Sequence, residues 1–459
     1  MSVFIRRLKR KEIRIESDSI RKMETMWSDS ALIYQIYPLG AAGAPFENDH
    51  QFTHRLPRFE KWIDHLKDLR VDCVLFNPLF ESSTHGYDTI DYRKVDCRLG
   101  DEQDLKHLTQ TLHENGMKVM FDGVFNHVGR DFGPFQDVLK NREGSRYKDW
   151  FVVDFNGNNS YNDGLWYANW EGYDALVKLN LANPEVVQYL LDTMDYWIDT
   201  YGVDGLRLDV AYCLDQNFLR ALHNHVKSRD PEFFLMGETL HGDYNTWCNP
   251  EMCDSVTNYE CYKGIYSSFN STNFYEILYS FNRQFGKEPW CLYTGKHLMC
   301  FLDNHDVPRI ATILQNPAHL PLAWAMVMTM PGIPAIYYGS EWGIKGDKGN
   351  ADRDIRPEVK MPESNELTKL IEKISRIRHE YSAYSNGDYT QIAINNGWCI
   401  YQRANDQETL WTVINMTDQP VSIPVSLNGQ AKDLMEDVDI EINNHVDLAP
   451  QSFKLLQIR

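Results

Sequence analysis

From residue 31 onward the chain alternates short apolar runs with longer runs in which apolar residues recur every three or four positions. Residues 31–39 (ALIYQIYPL) read as a buried strand. Over residues 58–70 the apolar positions are Phe59, Trp62, Ile63, Leu66 and Leu69, the spacing of one helix face. Residues 72–80 (DCVLFNPLF) form a second strand, 101–116 a helix with Gly116 suited to the position just past its end, and 118–125 a third strand. The rhythm then breaks from residue 126 to about 183, in a segment rich in Asn, Gly, Asp and aromatics without a long helical pattern. It resumes with a helix over 184–201, whose Pro184 fits a first turn. Strands at 205–210, 233–239, 255–259, 298–304 and 335–339 follow, separated by helices at 216–229, 273–285 and 321–330, with a last helix at 366–381. Eight strand segments, nearly all followed by helices, predict parallel strands with crossover helices, and eight of them predict a (β/α)8 barrel.

Beyond residue 384 the pattern changes. Runs at 389–400, 408–415, 421–424 and 453–458 read as short strands between Asn, Asp and Gly turns, with no long helix. This predicts a small all-β domain, a sandwich. The expected division is an N-terminal extension over 1–26, the barrel over 27–126 and 184–383, an inserted domain over 127–183, and the β domain over 384–459.

Composition narrows the function. Hydrophobic residues make up 43% of the 459, enough for a large core and inconsistent with disorder. The net charge of −19 repels phosphate backbones, so nucleic acid is not expected as a partner. No apolar run is long enough to span a membrane. The nine cysteines are odd in number and include no CxxC pair, which argues against a disulfide framework and a zinc knuckle. Together with the lack of a secretory signal, this implies a reducing, cytoplasmic setting. Residues 1–23 carry +5, leaving −24 on the rest, and read as a solvated extension.

Active sites of such barrels lie at the C-terminal ends of the strands. The third strand ends in Asp122, Asn126 and His127 (FDGVFNHV), and the fourth carries Arg207 and Asp209 (GLRLDV). The fifth ends in Glu238 (LMGET), the seventh in Asn304, His305 and Asp306 (LDNHD). A strand-end Asp is usually a turn former or an ion-pair partner. Four strands that bring carboxylates to one mouth argue for chemistry.

These four motifs, in this order, resemble the alpha-amylase superfamily, glycoside hydrolase family 13. The resemblance runs from about residue 27 to the end of the chain. It implies Asp209 as nucleophile, Glu238 as general acid/base and Asp306 as the carboxylate that stabilises the transition state. That trio suits a retaining glycosidase, which needs an ionised attacking carboxylate and a protonated donor. Arg207 lies two residues before Asp209, on the same strand face, and is expected to keep it ionised by pairing. Glu238 needs a raised pKa, for which Asp209 and Asp306 supply like charge. The resemblance adds His127, His305 and Asp122 as sugar-binding residues, and Tyr87 of His85-Gly86-Tyr87-Asp88 as the aromatic platform under the cleaved sugar.

Residues 176–180 (LVKLN) and His241 resemble the neopullulanase and cyclomaltodextrinase group. Leu240 departs from it, since that group usually has Trp there, and Tyr212 and Cys213 stand where many alpha-amylases have Lys-His. That group generally carries an extra N-terminal β domain used in dimerisation, whereas about 30 residues precede the first strand here, so the oligomeric state stays open. Asp352 and Arg356 (NADRDIRP) resemble the loop that contacts the non-reducing sugar, with a surface ion pair as the alternative. In the insert, Tyr161, Trp166, Tyr167, Trp170 and Tyr173 fit either a packed small core or a sugar-stacking wall. Asn126 matches a calcium ligand of many alpha-amylases, and it fits equally a hydrogen-bonding anchor for the insert. No other cofactor is implied.

The expected activity is retaining hydrolysis of α-1,4 bonds in maltooligosaccharides or cyclodextrins. Its rivals are a transglycosylase or glucanotransferase using the same intermediate, an exo-acting α-glucosidase, and a non-catalytic glycan binder.

Overall fold

The computed structural model describes residues 26–349 and 352–459. Residues 1–25, most of the expected N-terminal extension, lie outside the described residues. Eight short parallel strands form one sheet: β1 Ile33–Ile36, β2 Cys73–Phe76, β3 Lys118–Gly123, β4 Gly205–Leu208, β5 Phe234–Gly237, β6 Ser255–Val256, β7 Met299–Phe301 and β8 Ile333–Tyr337. The sheet runs β6-β5-β4-β3-β2-β1-β8-β7. A bridge between Thr257 and Met299 joins its two edges and closes the barrel.

Strand alternation explains both the core and the mouth. Inward positions low in the barrel are apolar: Ile33, Leu75, Met120, Met236, Phe301 and Ala335 pack in one cluster. Two residues further along the same faces stand Gln35, Asn77, Asp122 and Glu238, all buried. Outward positions such as Leu32, Val74, Val119, Leu206 and Ile336 pack beneath the helices. The base is closed by Trp27, whose ring meets Phe234 at 5.6 Å and whose indole N–H donates to the Glu232 carbonyl.

The main helices are α1 Ile63–Asp68, α2 Glu102–Glu114, α3 Pro184–Tyr201, α4 Gln216–Arg229, α5 Tyr259–Ser271, α6 Phe274–Phe285, α7 Leu320–Thr329 and α8 Glu366–Glu380. Their starts follow capping chemistry. Asp101 accepts from the Gln103 and Asp104 amides, and Asp215 from those of Asn217 and Phe218. Helix α5 has no counterpart in the expected pattern. The strand expected to reach residue 259 stops at Val256, because Asn258 caps α5 by accepting from the Cys261 amide. The insert also contains a helix, Gly133–Asn141, which buries Phe135 and Val138. The rest of it is built on a three-stranded sheet of His127–Gly129, Tyr173–Lys178 and Asn169–Trp170.

The C-terminal domain is a six-stranded antiparallel sheet of β9 Asp388–Ile394, β10 Trp398–Ala404, β11 Thr409–Asn415, β12 Val421–Asp433, β13 Val438–Leu448 and β14 Ser452–Ile458. The run expected as one strand over 389–400 is a hairpin, turned at Asn395, Asn396 and Gly397. The strand expected over 421–424 continues to Asp433 past a bulge between Pro424 and Asn428, and pairs with β13. Only the second half of β12 pairs with β14. The first half folds over the sheet, so Ile423, Val425 and Val446 meet Ile400, Trp411 and Val413 in a sandwich-like core.

Candidate active site

Asp122 and Arg207 are register partners on β3 and β4, so their side chains emerge side by side inside the barrel. The Arg207 Nη1 donates to both Asp122 oxygens at 2.8 Å and to Asp209 Oδ1 at 2.9 Å. Its Nη2 lies 2.9 Å from Glu238 Oε2. One guanidinium therefore ties the candidate nucleophile, the candidate acid/base and a third carboxylate together. Glu238 Oε2 also accepts from the Val210 amide at 2.9 Å. That amide is aimed by an unusual backbone: Val210 has φ 41° and ψ 48°, a left-handed conformation that costs a β-branched residue about 1–3 kcal/mol.

The sharing of Arg207 has an electrostatic consequence. Burial pushes the Asp209 carboxyl well above the ordinary range; Arg207 opposes this, and Glu238 and Asp122 add like charge. The expected pairing of Arg207 with Asp209 is present, with that one cation divided among three acids. Asp306 behaves in the opposite way. Burial raises it, but the hydrogen bond from His305, then the Arg356 and Arg207 guanidiniums, hold it well below the ordinary range. The His305 Nε2 lies 2.9 Å from Asp306 Oδ2, and the Arg356 Nη2 donates to Asp306 Oδ1 at 3.0 Å.

Asp209, Glu238 and Asp306 line one cleft of about 700 Å³ together with Tyr87, His127, Asp352 and Arg356. Tyr87 stacks on the His305 ring at 5.5 Å and donates its hydroxyl to Asp122. The His127 Nε2 is buried without a hydrogen-bond partner, 3.9 Å from Asp209 Oδ2. Burial, then the nearby His85, lowers His127 to about 3, so its ring is neutral. Arg356 is buried rather than a surface residue. It donates to the His305 carbonyl, lies 3.4 Å from Asp352 and covers the Tyr37 ring. Asp122 sits below the cleft with its side chain enclosed and holds Arg207. His241 is exposed at the rim, beside the Tyr212 ring.

The insert aromatics divide between the two expected roles. Tyr167 is buried against Phe135, whereas Trp170 and Tyr173 stack on each other at 5.6 Å and line the cleft. Tyr161 and Trp166 are exposed, Tyr161 lying over Arg130. Tyr212, Leu240 and Tyr259 complete the cleft wall. Tyr259 could be found from sequence only by recognising that a helix starts there. Asn126 is fully buried: its carbonyl accepts from the Leu179 amide and its side-chain nitrogen meets His127 Nδ1. Its Oδ1 has no partner, as a cation ligand would require. Among the described residues, the clusters of three His, Cys or acid ligands close enough to share an ion are His54, Asp101, Asp104 and Glu81, Asp96, Cys97. Neither draws a residue from the insert.

A sequence profile of the alpha amylase catalytic domain matches residues 59–386. A cyclomaltodextrinase of Geobacillus thermopakistaniensis (strain MAS1) is 33% identical over 81% of this chain and 63% of its own length. A cyclomaltodextrinase of a Bacillus species is 31% identical over 85% of this chain and 73% of its own. The chain thus spans roughly two thirds of the length of these relatives. A solved cyclomaltodextrinase superposes with a TM-score of 0.83 over 94% of this chain and 78% of its own, at 29% identity. With the matched domain covering most of the barrel and the motif residues converging on its mouth, the chain belongs to the alpha-amylase family of glycoside hydrolases.

Proposed function

We propose that the protein hydrolyses α-1,4 bonds of maltooligosaccharides or cyclodextrins with retention of configuration. The observation that carries this reading is the single Arg207 guanidinium bridging Asp209 and Glu238. That shared cation brings both carboxylates to one point of the cleft, as a nucleophile and an acid/base working on one bond require. In the reactive form Asp209 is ionised and Glu238 holds the proton. An Asp209 oxygen attacks the anomeric carbon while the bond to the leaving oxygen breaks and Glu238 protonates that oxygen. The resulting glycosyl ester of Asp209 is opened by a water that gives its proton to Glu238. Asp306, ionised and held by Arg356, stabilises the positive charge that develops on the sugar. The neutral His127 offers an unpaired ring nitrogen to a sugar hydroxyl, and the Trp170–Tyr173 pair offers an apolar face.

Oligosaccharides as substrates are supported by the cleft's length, which runs from the insert aromatics to Asp352 and Arg356. A reducing, cytoplasmic location is supported by nine cysteines that are all free, seven of them buried. Among the described residues no helix is long and apolar enough to cross a membrane. Calcium at Asn126 is a separate proposal, resting on its unpaired Oδ1; metal analysis of protein purified without added calcium checks it.

The reading is tested with Asp209→Asn and a product profile. Turnover should fall by about 10⁴-fold or more, with the fold retained. Near-normal turnover would overturn the assignment. On cyclodextrin, maltotriose, pullulan and starch, hydrolysis gives only shorter products. Oligomers longer than the input would instead indicate transfer, and inertness toward cyclodextrin an exo-acting enzyme.

A further inference from the structure

His305 is buried next to Asp306, beneath the residues that line the cleft. Its ring lies between those of Tyr37 and Tyr87, nearly parallel to both, with centroids 6.3 and 5.5 Å away. Each of its nitrogens faces a defined partner. Nδ1 lies 3.0 Å from Gln35 Nε2, and Nε2 faces the Tyr87 hydroxyl and Asp306.

Which nitrogen carries the proton follows from hydrogen-bond logic, starting at a group that can only accept. Asp122 is a carboxylate bonded by Arg207. Asn77, just past the end of β2, lies 3.0 Å from Asp122 Oδ2 and must present its NH2 there. That orientation leaves the Asn77 oxygen facing Gln35, 2.9 Å from Gln35 Nε2, so Gln35 must present its own NH2. The second hydrogen of that NH2 then points at His305 Nδ1. A nitrogen facing a donor must accept, so Nδ1 is bare and the proton sits on Nε2, toward Asp306 and the cleft.

The geometry points to Gln35 as a positioning residue that fixes the His305 tautomer through a fully ordered relay from Arg207 by way of Asp122 and Asn77. The relay runs beneath the cleft and links the residue that holds Asp209 to the one that holds Asp306. Gln35 is buried on β1, where its register partners are Leu75 on β2 and Tyr337 on β8. It touches none of the three candidate catalytic carboxylates. Its effect on turnover rests on the function proposed above; its effect on the tautomer does not.

The test reads both. In protein labelled with nitrogen-15 histidine, the His305 ring signals are assigned by their loss in His305→Gln. At neutral pH the expected pattern is an unprotonated Nδ1 and a protonated Nε2. Gln35→Met keeps the length and removes both donors, and should leave a mixture of tautomers. Gln35→Glu offers only acceptors when ionised, and should draw the proton onto Nδ1. If Gln35→Met fails to fold, Gln35→Glu and the wild-type spectrum still decide. In the folded variants kcat should fall by about 10- to 100-fold with KM little changed, as for other residues that orient a working histidine. A proton on Nδ1 in the wild-type protein, as the other tautomer or as imidazolium, would overturn the proposal. So would a variant with unchanged tautomer and unchanged kcat. An ordered tautomer in an enzyme whose Asp209→Asn variant stays active would leave the relay standing and sink the glycosidase reading instead.

Discussion

At the scale of single residues the site is built from competing demands on one cation. Asp209 is raised from an ordinary value of 3.8 because burial outweighs its share of Arg207. The folded protein therefore binds a proton more tightly at this position than the unfolded chain does. Its contribution to stability is unpenalised below pH 3.8 and declines as pH rises through the folded value. Asp209→Asn should accordingly raise the midpoint of thermal unfolding at neutral pH by about 1–3 °C, with the gain shrinking toward pH 4. Calorimetry of the two proteins across pH checks this. The same shift predicts that kcat/KM climbs with pH along an acid limb centred above the ordinary carboxylate value. Asp306, held below that value, contributes the opposite slope, which is lost only as pH falls through its depressed pKa.

Much of this site was legible in the sequence, for a physical reason. Charged residues at the ends of apolar strands are costly to bury, so Asp209, Glu238 and Asp306 stood out against their neighbours. Gln35 and Asn77 did not. An amide at a strand end looks like a turn former or a satisfied polar group, and its use depends on what the barrel brings opposite it. Arg356 was ambiguous in the same way, since nothing local says that its guanidinium folds inward to Asp306.

Among the elements, the helices with apolar stripes and capping residues were readable, and α5 was not. Its sequence (YECYKGIYSSFNS) is rich in Tyr and Ser and has a central glycine, all weaker helix formers than Ala or Leu. Packing overrides this. Gly264 lets α5 approach α6 so closely that a β-carbon there would stand 2.9 Å from the Ile277 Cδ1. Alanine is a better helix former than glycine by about 1 kcal/mol, so the substitution is a contest between propensity and crowding. Gly264→Ala should be near neutral or destabilising alone. Ile277→Val removes the offending methyl, and in that background Gly264→Ala should stabilise by about 1 kcal/mol. Urea denaturation of the four proteins in the cycle measures the coupling. In the C-terminal domain β13 was missed because its side chains are largely charged or amide and exposed, so only the partner strand defines it.

At the scale of the whole molecule, two buried arginines join the barrel to the C-terminal domain. Arg378 of α8 donates to the carbonyls of Met328, Gly332 and Tyr384. Arg403 of β10 donates to those of Thr329, Tyr384, Ser385 and Gly387. Burial lowers both from the ordinary guanidinium value, and their like charges add to the shift at Arg403. The carbonyls of Met328 and Thr329 belong to the last turn of α7, whose dipole favours a cation there. Arg403→Met would strip several buried carbonyls of their donor at once and should cost about 3 kcal/mol. Because Arg403 reaches the Thr329 carbonyl of the barrel and Arg378 reaches the Tyr384 carbonyl of the C-terminal domain, the two should unfold in a single calorimetric transition. A separate early transition for residues 384–459 would contradict this coupling.

The barrel's closure carries a consequence for motion. Strands β1 and β2 share four register pairs, whereas β6 and β7 meet through the one bridge between Thr257 and Met299 and a hydrogen bond from the Asn258 amide. A ring fastened so unevenly breathes at its thinnest join. Opening there would part Tyr259 from Asn304, whose side chains are hydrogen-bonded across the same join beside the cleft. Deuterium should therefore enter the Asn258 amide well before it reaches the amides of β1 and β2, although all are buried alike. A ligand that occupies the cleft and touches Tyr259 would slow that exchange and act as a clasp on the barrel itself.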